Sequence, residues 1–342
     1  MVVFNNCRHI RESAMTIVYC EQLLEHTQWA DHPESPLRLK TMKKKLEKED
    51  LWHDVIEPEP ITEDMLYGVH TKAHIEKLKK GGNYPIDPDT FLHDDTYGLA
   101  MLSASVAVTA VRSALKGHPT IGLTRPPGHH AGRDHMGGFC YINNVAVAVD
   151  NAKTRTAIVD IDVHHCNGTE EIFYSRDDVM VISIHEANFY WNSGYLENTG
   201  EGKGKNFNIN IPIPAGSGNR SYLMAMDEII VPVIRRYDPE LIVVSLGVDG
   251  HYCDPNSHML LNTQGYIELC RRLFDIAKDG KIAFILEGGY HLRATAEVVA
   301  GVVGMFSNKE IKPEYGEDKG DQSNGPREVR KDKEYIARAW DI

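Results

Sequence analysis

Apolar residues occur along this chain in two kinds of run. Short runs rich in Val, Ile and Leu, bounded by polar or Gly-containing segments, predict buried strands. These runs lie at 120–123, 157–163, 179–184, 241–246 and 282–286. Longer stretches with helical spacing of apolar residues lie between and after them, at 144–153, 222–236, 263–278 and 292–306. Strands that alternate with helices predict an α/β fold with a parallel sheet covered by helices on both faces.

The two ends of the chain depart from this alternation. Before the first strand run, helices are predicted at 36–51, from 61–67 onward, and at 97–115. The charged segment 308–325 predicts a solvated loop, and 327–340 predicts a closing helix. Residues 1–14 are expected to be an extension of a single domain that spans 1–342.

Composition narrows the class of protein. The formal net charge of −12 argues against a nucleic-acid surface, and it fits either simple solubility or the attraction of cationic substrates. Six widely spaced cysteines include no Cys-x-x-Cys pair, and no secretory signal is evident, so reduced thiols in a cytoplasmic protein are expected. The longest apolar run, 98–111, contains Ser and Thr and is shorter than the ~18 residues of a membrane span. No membrane segment is therefore predicted.

Acidic and imidazole side chains follow two of the strand runs. Asp160, Asp162 and His164 alternate along one run and past its end, and Asp249 follows another. Successive side chains of an extended strand point to opposite faces, so the first three are expected to project on one side. Ligands of open α/β sheets bind beyond the carboxyl ends of the strands. The four side chains are therefore expected to converge there.

Two further motifs add groups that can move protons. His129 and His130 are adjacent on a turn after the run 120–123, and Tyr290 follows the run 282–286 behind two glycines. Histidine can donate or accept a proton near neutral pH, and a tyrosine hydroxyl can donate a hydrogen bond to an oxyanion. Together the motifs supply the groups that hydrolysis of an amide at a metal ion requires.

Several of these strings resemble one protein family. They are 125–141 (RPPGHHAGRDHMGGFCY), 160–169 (DIDVHHCNGT), 202–204 (GKG) ahead of 208–212 (NINIP), and 287–290 (EGGY). In this order they resemble the zinc-dependent histone deacetylase and acetylpolyamine amidohydrolase family, and Asn167 is similar to its class II and bacterial members. The resemblance implies the three-layer arginase/deacetylase α/β fold.

The resemblance also implies roles for individual residues. The implied metal ligands are Asp162, His164 and Asp249, a set suited to Zn²⁺ whose two carboxylates would also accept Fe²⁺. The implied catalytic residues are His129, His130, Tyr290, Asp160 and Asn167. Asp160 and Asn167 would hold the first and second histidine, and Tyr290 would stabilise the oxyanion. A structural K⁺ near Ser183 is implied by resemblance alone.

The implied substrate is an acetylated aliphatic amine, either acetyl-lysine of a peptide or protein or an acetylated polyamine or other small amine. Its implied contact residues are Gly138, Phe139, Tyr190, Asp94, Asp95 and Asn256. Polyamine-selective relatives place a carboxylate near the position of Asn256, which here is neutral. Single-amine substrates are therefore expected to be cleaved at least as well as acetylpolyamines.

Two other functions fit parts of the pattern. An arginase-type ureohydrolase shares the fold, but it needs further Asp and His ligands for a second metal, and 165–167 lacks the expected Asp. A catalytically silent acyl-lysine binding protein would need neither Tyr290 nor the histidine pair. The sequence leaves open whether the chain forms a homo-oligomer.

Overall fold

The computed structural model describes residues 14–189, 192–307 and 309–342. Its strands are β1 (Thr16–Val18), β2 (Val55–Ile56), β3 (Tyr84–Asp87), β4 (Thr90–Leu92), β5 (Thr120–Gly122), β6 (Thr156–Asp160), β7 (Val179–Glu186), β8 (Asn208–Ile213), β9 (Leu241–Leu246) and β10 (Ile282–Leu286). Eight of them form one sheet in the order β2-β1-β5-β10-β9-β6-β7-β8, and β3 and β4 form a separate antiparallel hairpin. Every ladder of the large sheet is parallel, as predicted.

Helices pack around this sheet in two groups. The helices are α1 (Leu37–Lys48), α2 (Lys72–Lys80), α3 (Thr96–Leu115), α4 (Asn144–Ala152), α5 (Asn167–Phe173), α6 (Asn219–Ala225), α7 (Val231–Tyr237), α8 (Thr263–Ile276), α9 (Leu292–Phe306) and α10 (Gly325–Trp340), with a π-helical segment between α6 and α7. α3 packs on α4 and on the sheet, whereas α1, α8 and α9 form a second packed group. The predicted α/β fold, a parallel sheet with helices around it, is confirmed.

The end of β6 corrects one step of the sequence argument. β9, β10 and α9 begin and end where they were predicted, but β6 ends at Asp160 instead of continuing to Val163. Asp162 and His164 therefore lie in the loop after the strand, and strand alternation does not bring them together. They converge because the loop folds back on itself, with the His164 N–H donating to Asp162 Oδ1 at 2.9 Å.

The apolar pattern also missed some elements. β8 carries Asn208 and Asn210, which interrupt its apolar run although both side chains are buried. Helix α5 was not predicted either. The helix predicted from 61–67 onward begins only at Lys72, as α2, and 61–67 contain a short 3₁₀ helix, Glu63–Leu66.

Helix α3 matches the helix predicted at 97–115 to within one residue, but it is longer than the apolar run 98–111 that was compared with a membrane span. Its 20 residues are enough, by length and composition, to cross a membrane. However, 67% of its most apolar window is buried inside the protein, and Ser103 Oγ donates a 2.8 Å hydrogen bond to the Pro126 carbonyl oxygen. These are the contacts of a core helix that packs against a sheet.

Candidate active site

Three side chains converge beyond the carboxyl ends of β6 and β9. Ligand atoms of Asp162, His164 and Asp249 all lie within 4.8 Å of one another. His164 Nδ1 is 3.1 Å from Asp162 Oδ1 and 3.0 Å from Asp249 Oδ2. Both aspartates are fully buried. Two carboxylates and one imidazole at this separation fit one divalent cation and leave coordination positions for water and substrate.

Backbone amides fix the two carboxylates. Asp162 Oδ2 accepts a 2.9 Å hydrogen bond from the Gly288 N–H, and Asp249 Oδ1 accepts one of 2.9 Å from the Val163 N–H. A Cβ on Gly288 would lie 2.3 Å from Asp249 Oδ2, so only glycine lets the loop after β10 approach this closely. The loops after β6, β9 and β10 are thereby held as one unit.

The buried carboxylates require a positive charge beside them. Burial raises the pKa of Asp249 to about 7, and the charge of Asp162 adds to that shift. Burial by itself lowers the pKa of His164, but hydrogen bonds with Asp162 and Asp249 outweigh it and raise the pKa to about 10. The donor set therefore favours a positive charge between the two carboxylates, which a bound divalent cation would supply.

The adjacent histidines lie next to this group, each with its own partner. His129 Nδ1 is 3.2 Å from Asp160 Oδ2, and His130 Nδ1 is 2.6 Å from Asn167 Oδ1. The two rings are 4.0 Å apart, and both are buried. The structure therefore brings together the two pairs that the sequence predicted, while the catalytic roles stay predictions.

The two histidines differ in charge. Burial lowers the pKa of His129, but the charges of Asp162 and Asp160 outweigh it and raise the pKa to about 10. Burial, together with the positive charges of His129 and His164, holds the pKa of His130 well below its usual value. These shifts favour the charged form of His129 and the neutral form of His130, and a neutral imidazole is the form that can accept a proton.

Glu287 is a buried carboxylate whose contact with the histidine turn the sequence did not reveal. Its Oε2 accepts hydrogen bonds from the N–H groups of Gly128, at 2.7 Å, and His129, at 3.2 Å. Burial raises the pKa of Glu287 to about 7. In the sequence Glu287 is the first residue of the motif that ends at Tyr290. Its position directly after β10 joins that motif to the turn that carries the histidines.

Tyr290 is positioned by contacts with its backbone and with its ring. Asp254 Oδ2 accepts a 2.6 Å hydrogen bond from the Tyr290 N–H, and the Arg38 guanidinium lies 5.0 Å from the ring centre. The ring of Phe139 meets the Tyr290 ring edge-on at 5.6 Å. Burial raises the pKa of Tyr290 well above its usual value. The hydroxyl therefore keeps its proton at neutral pH and can donate a hydrogen bond.

His130, His164 and Tyr290 line one cavity of about 370 Å³. The residues that line it are Pro33, Asp89, His130, Gly138, Phe139, His164, Phe189, Pro255, Asn256, Ser257, His258 and Tyr290. Gly138, Phe139 and Asn256, which were predicted to contact substrate, line this cavity, and that role stays a prediction. Tyr190, also predicted to contact substrate, lies outside the described residues.

Two phenylalanines form walls of the cavity. Phe189, which the sequence analysis passed over for its neighbour Tyr190, stacks on the His164 ring at 5.2 Å. Phe139 follows Gly138, where a Cβ would lie 2.6 Å from His130 Cδ2. Both residues of this turn have positive φ, and the Gly138 N–H donates to Asp87 Oδ2 at 2.9 Å. The β3–β4 hairpin therefore holds the Phe139 wall in place.

The predicted carboxylates of the mouth lie elsewhere. Asp94 Oδ1 accepts a 2.9 Å hydrogen bond from the Gly82 N–H, and Asp95 directly precedes α3. Both are exposed, and neither lines the cavity. Asp89, in the turn between β3 and β4, lines it instead. A hairpin prediction from the turn sequence 87–90 could have directed attention to Asp89.

Ser183 lies below the metal group, on β7. It is buried, and its Oγ is 2.9 Å from His185 Nδ1. The K⁺ site implied by resemblance stays a prediction. A second group with metal-binding potential, formed by Asp134, His135 and Glu171, lies on the surface and contributes nothing to the cavity.

Known proteins resemble this chain over most of its length. A model of the histone deacetylase domain matches residues 32–306. A probable deacetylase of Archaeoglobus fulgidus is 36% identical over 321 residues, which are 87% of this chain and 89% of that protein. Acetylpolyamine amidohydrolase 1 of Pseudomonas aeruginosa is 40% identical over 222 residues, 62% of this chain and 63% of that protein. The crystal structure of the HDA15 HD domain matches with a TM-score of 0.88 and 28% identity over 96% of each chain. Since the domain match spans most of the chain and includes the metal group, both histidines and Tyr290, the chain belongs to the histone deacetylase family.

Proposed function

We propose that the chain is a zinc-dependent deacetylase that hydrolyses the acetyl amide of an aliphatic amine. One observation carries this proposal. His130, His164 and Tyr290 line a single cavity, and Asp162 and Asp249 lie directly behind His164. A metal group, a neutral imidazole and a phenol donor in one cavity are what hydrolysis of an amide requires.

Asp162, His164 and Asp249 would hold the zinc. Their two oxygens and one nitrogen fit Zn²⁺. A Cβ on Gly247 would lie 2.1 Å from Asp162 Oδ2, so a side chain at position 247 would displace this ligand. When bound, the ion polarises the amide carbonyl and lowers the pKa of water toward ~7. Fe²⁺ fits the same donor set, and metal analysis of protein purified without added metal distinguishes the two.

The two histidines divide the proton chemistry. His130 faces the cavity and is neutral, so it accepts a proton from the attacking water and later donates it to the departing amine. His129 stays protonated beside Asp160, and its charge stabilises the negative charge that develops on the amide oxygen. Asn167 holds His130 without adding a negative charge, which keeps that imidazole available as a base.

Tyr290 donates a hydrogen bond to the same oxygen. Its hydroxyl remains protonated because of burial, and the contact with Phe139 limits its rotation. Donors that are already oriented stabilise the transition state more than the ground state. The walls formed by Phe139 and Phe189 suit an extended alkyl chain with the amide at its tip.

The preferred substrate in this proposal carries one amine, as acetyl-lysine of a peptide does. Asn256 lines the mouth and is neutral, so no second ammonium group is attracted there. An acetylpolyamine is the second candidate, because Asp89 places a carboxylate among the lining residues. The ratio of kcat/KM for an acetyl-lysine peptide to kcat/KM for acetylspermidine decides between them.

The two rival functions lack support from the cavity. A ureohydrolase needs a second metal beside the first, and within the described residues the other candidate group, 134–135 with Glu171, is on the surface. A silent acyl-lysine binder would not need Tyr290 opposite the metal group. An assay with an acetylated peptide, acetylspermidine and arginine, with and without a chelator, tests all three. Release of acetate that stops with chelator and returns with zinc supports the deacetylase, whereas release of urea would contradict it.

We also propose that the protein works in the cytoplasm. Cys20, Cys140, Cys166, Cys253 and Cys270 are all free thiols in the structure. Reduced cysteines are typical of that compartment. Fractionation of cells that express the tagged protein tests this assignment, and size-exclusion chromatography with light scattering tests whether it forms a homo-oligomer.

A further inference from the structure

A second cavity, of about 360 Å³, lies at the free edge of the sheet. β8 is the last strand in the sheet, and α10 packs beside it. The cavity lies between these two elements, and its principal lining residues are Leu196, Asn208, Asn210, Ile336, Arg338 and Trp340. None of its lining residues lines the active-site cavity.

The edge of β8 leaves main-chain donors facing this cavity. The Val181 N–H donates to the Phe207 carbonyl, and Val181 pairs with Asn208 in the parallel ladder. In that register the backbone groups of residues 207, 209 and 211 face β7, so the amides of Asn208 and Asn210 face outward. Across the described ranges, no residue accepts a hydrogen bond from either amide.

The side chain of Asn210 adds an acceptor that is held in place. Its Nδ2 donates to Glu170 Oε2 at 2.7 Å, and the same oxygen accepts a 2.6 Å hydrogen bond from Asn208 Nδ2. Asn210 is only 1% exposed, and among the residues that the structure describes its Oδ1 has no hydrogen-bond partner. A buried amide oxygen without a donor is unfavourable, so a ligand that supplies a donor gains affinity here.

The rim is cationic and one wall is apolar. Lys205 and Arg338 line the cavity and are exposed, and neither forms an ion pair with any described residue. The apolar wall consists of Leu196, Ile336 and Trp340. Trp340 is fixed because its indole N–H donates a 3.0 Å hydrogen bond to the Asn206 carbonyl. The two cations and the outward-facing amides of β8 favour a ligand that carries a carboxylate. The apolar wall favours a ligand that also has an apolar body.

We propose that this cavity binds a small organic acid that joins a carboxylate to an apolar body and carries a hydroxyl or amide N–H donor. The carboxylate contacts Lys205, Arg338 and the edge amides of β8. The donor contacts Asn210 Oδ1, and the apolar body packs on Trp340. The proposal does not depend on the reaction in the active-site cavity, since the two cavities share no lining residue.

The test is a titration of the full chain with 3-phenyllactate, which has all three features. Calorimetry measures affinity, and the Trp340 indole N–H signal in NMR spectra, assigned with Trp340→Phe, reports the place of binding. We expect saturation with a dissociation constant on the order of 1 mM, as befits a small ligand. The double variant Lys205→Gln/Arg338→Gln should bind at least about five-fold more weakly. Neutral 3-phenyllactamide should show a similar loss.

A matched control removes two charges nearby without touching the cavity. Lys203 and Arg330 are exposed and do not line it, so Lys203→Gln/Arg330→Gln should bind as the wild type does. No saturation, an unchanged Trp340 signal, or equal weakening in both double variants would overturn the proposal. Displacement of 3-phenyllactate by a hydroxamate directed at the active-site metal would also overturn it, since that result would place the acid in the other cavity.

Discussion

The floor and the mouth of the active-site cavity are built in different ways. The floor consists of His129, His130, Asp162, His164 and Asp249, and the mouth consists of Asp89, Phe189, Asn256 and His258. Floor residues follow strands of the central sheet, and their carboxylates are 0% exposed and held by backbone amides. Mouth residues come from several loops, including the turn between β3 and β4 that carries Asp89, and the His258 side chain is 66% exposed although it contacts Glu186.

This difference separates chemistry from substrate choice. The floor is locked by mutual contacts, so a change there should affect every substrate alike. The mouth touches only the part of a substrate beyond the amide, so a change there should alter the ratio between substrates.

Removal of a metal ligand should have the largest effect. Asp249→Ala leaves Asp162 and His164 without their third partner, so we expect folded protein with little bound metal and a loss of activity of at least about 10³-fold on every substrate. Metal content and kcat/KM check this. Asp94→Ala, which removes an exposed carboxylate outside the cavity, should retain full metal content. Stoichiometric metal in Asp249→Ala would show that the ligand assignment is wrong.

Tyr290→Phe should separate catalysis from metal binding. It removes one oxyanion donor and leaves the metal group intact, so kcat should fall by about 10²–10³-fold with metal retained. Tyr252→Phe, which lies outside the cavity, should change neither kcat nor the metal content. The loss should be equal for acetyl-lysine peptides and acetylpolyamines, because Tyr290 belongs to the reacting end. A near-normal kcat would remove Tyr290 from the mechanism.

Asn167→Asp should shift the pH dependence of the reaction. A carboxylate beside His130 favours the imidazolium and raises the pKa of His130, which burial and neighbouring cations now hold low. His130 must be neutral to accept a proton, so activity is lost as pH falls through that pKa. The acid limb of kcat/KM should therefore move to higher pH. Asn192→Asp adds the same charge at an exposed position and should not shift the acid limb of the kcat/KM profile.

A charge at the mouth should have the smallest effect, and only on selectivity. Asn256→Asp should raise kcat/KM for acetylspermidine relative to an acetyl-lysine peptide by about two- to five-fold, since exposed charge pairs contribute little. Asn256→Leu serves as the neutral control and should leave the ratio unchanged. A strong preference for acetylpolyamines that survives Asn256→Leu would assign that preference to Asp89. An equal fall on all substrates would show that the mouth is not separate from the floor.

The sequence predicted the floor better than the mouth for a structural reason. Polar residues that directly follow a strand are placed by the ladder itself, so Asp249 after β9 and Glu287 after β10 could lie only at one end of the sheet. Within the floor, strand alternation predicted that Asp160, Asp162 and His164 lie close together. They do, but Asp162 and His164 lie past the end of β6, so alternation is not the cause. Local sequence does not encode the fold-back of that loop.

The sequence alone was enough to predict the parallel α/β fold, the family and the residues that the structure groups in the floor, because strand periodicity and short motifs are local properties. The tertiary structure decided which residues form the mouth. Asp89 lines the cavity while Asp94 does not, and Phe139 is held there by a hydrogen bond between Asp87 and Gly138, 51 residues apart. Contacts of that range depend on how loops pack against each other, and no periodic pattern along the chain records them.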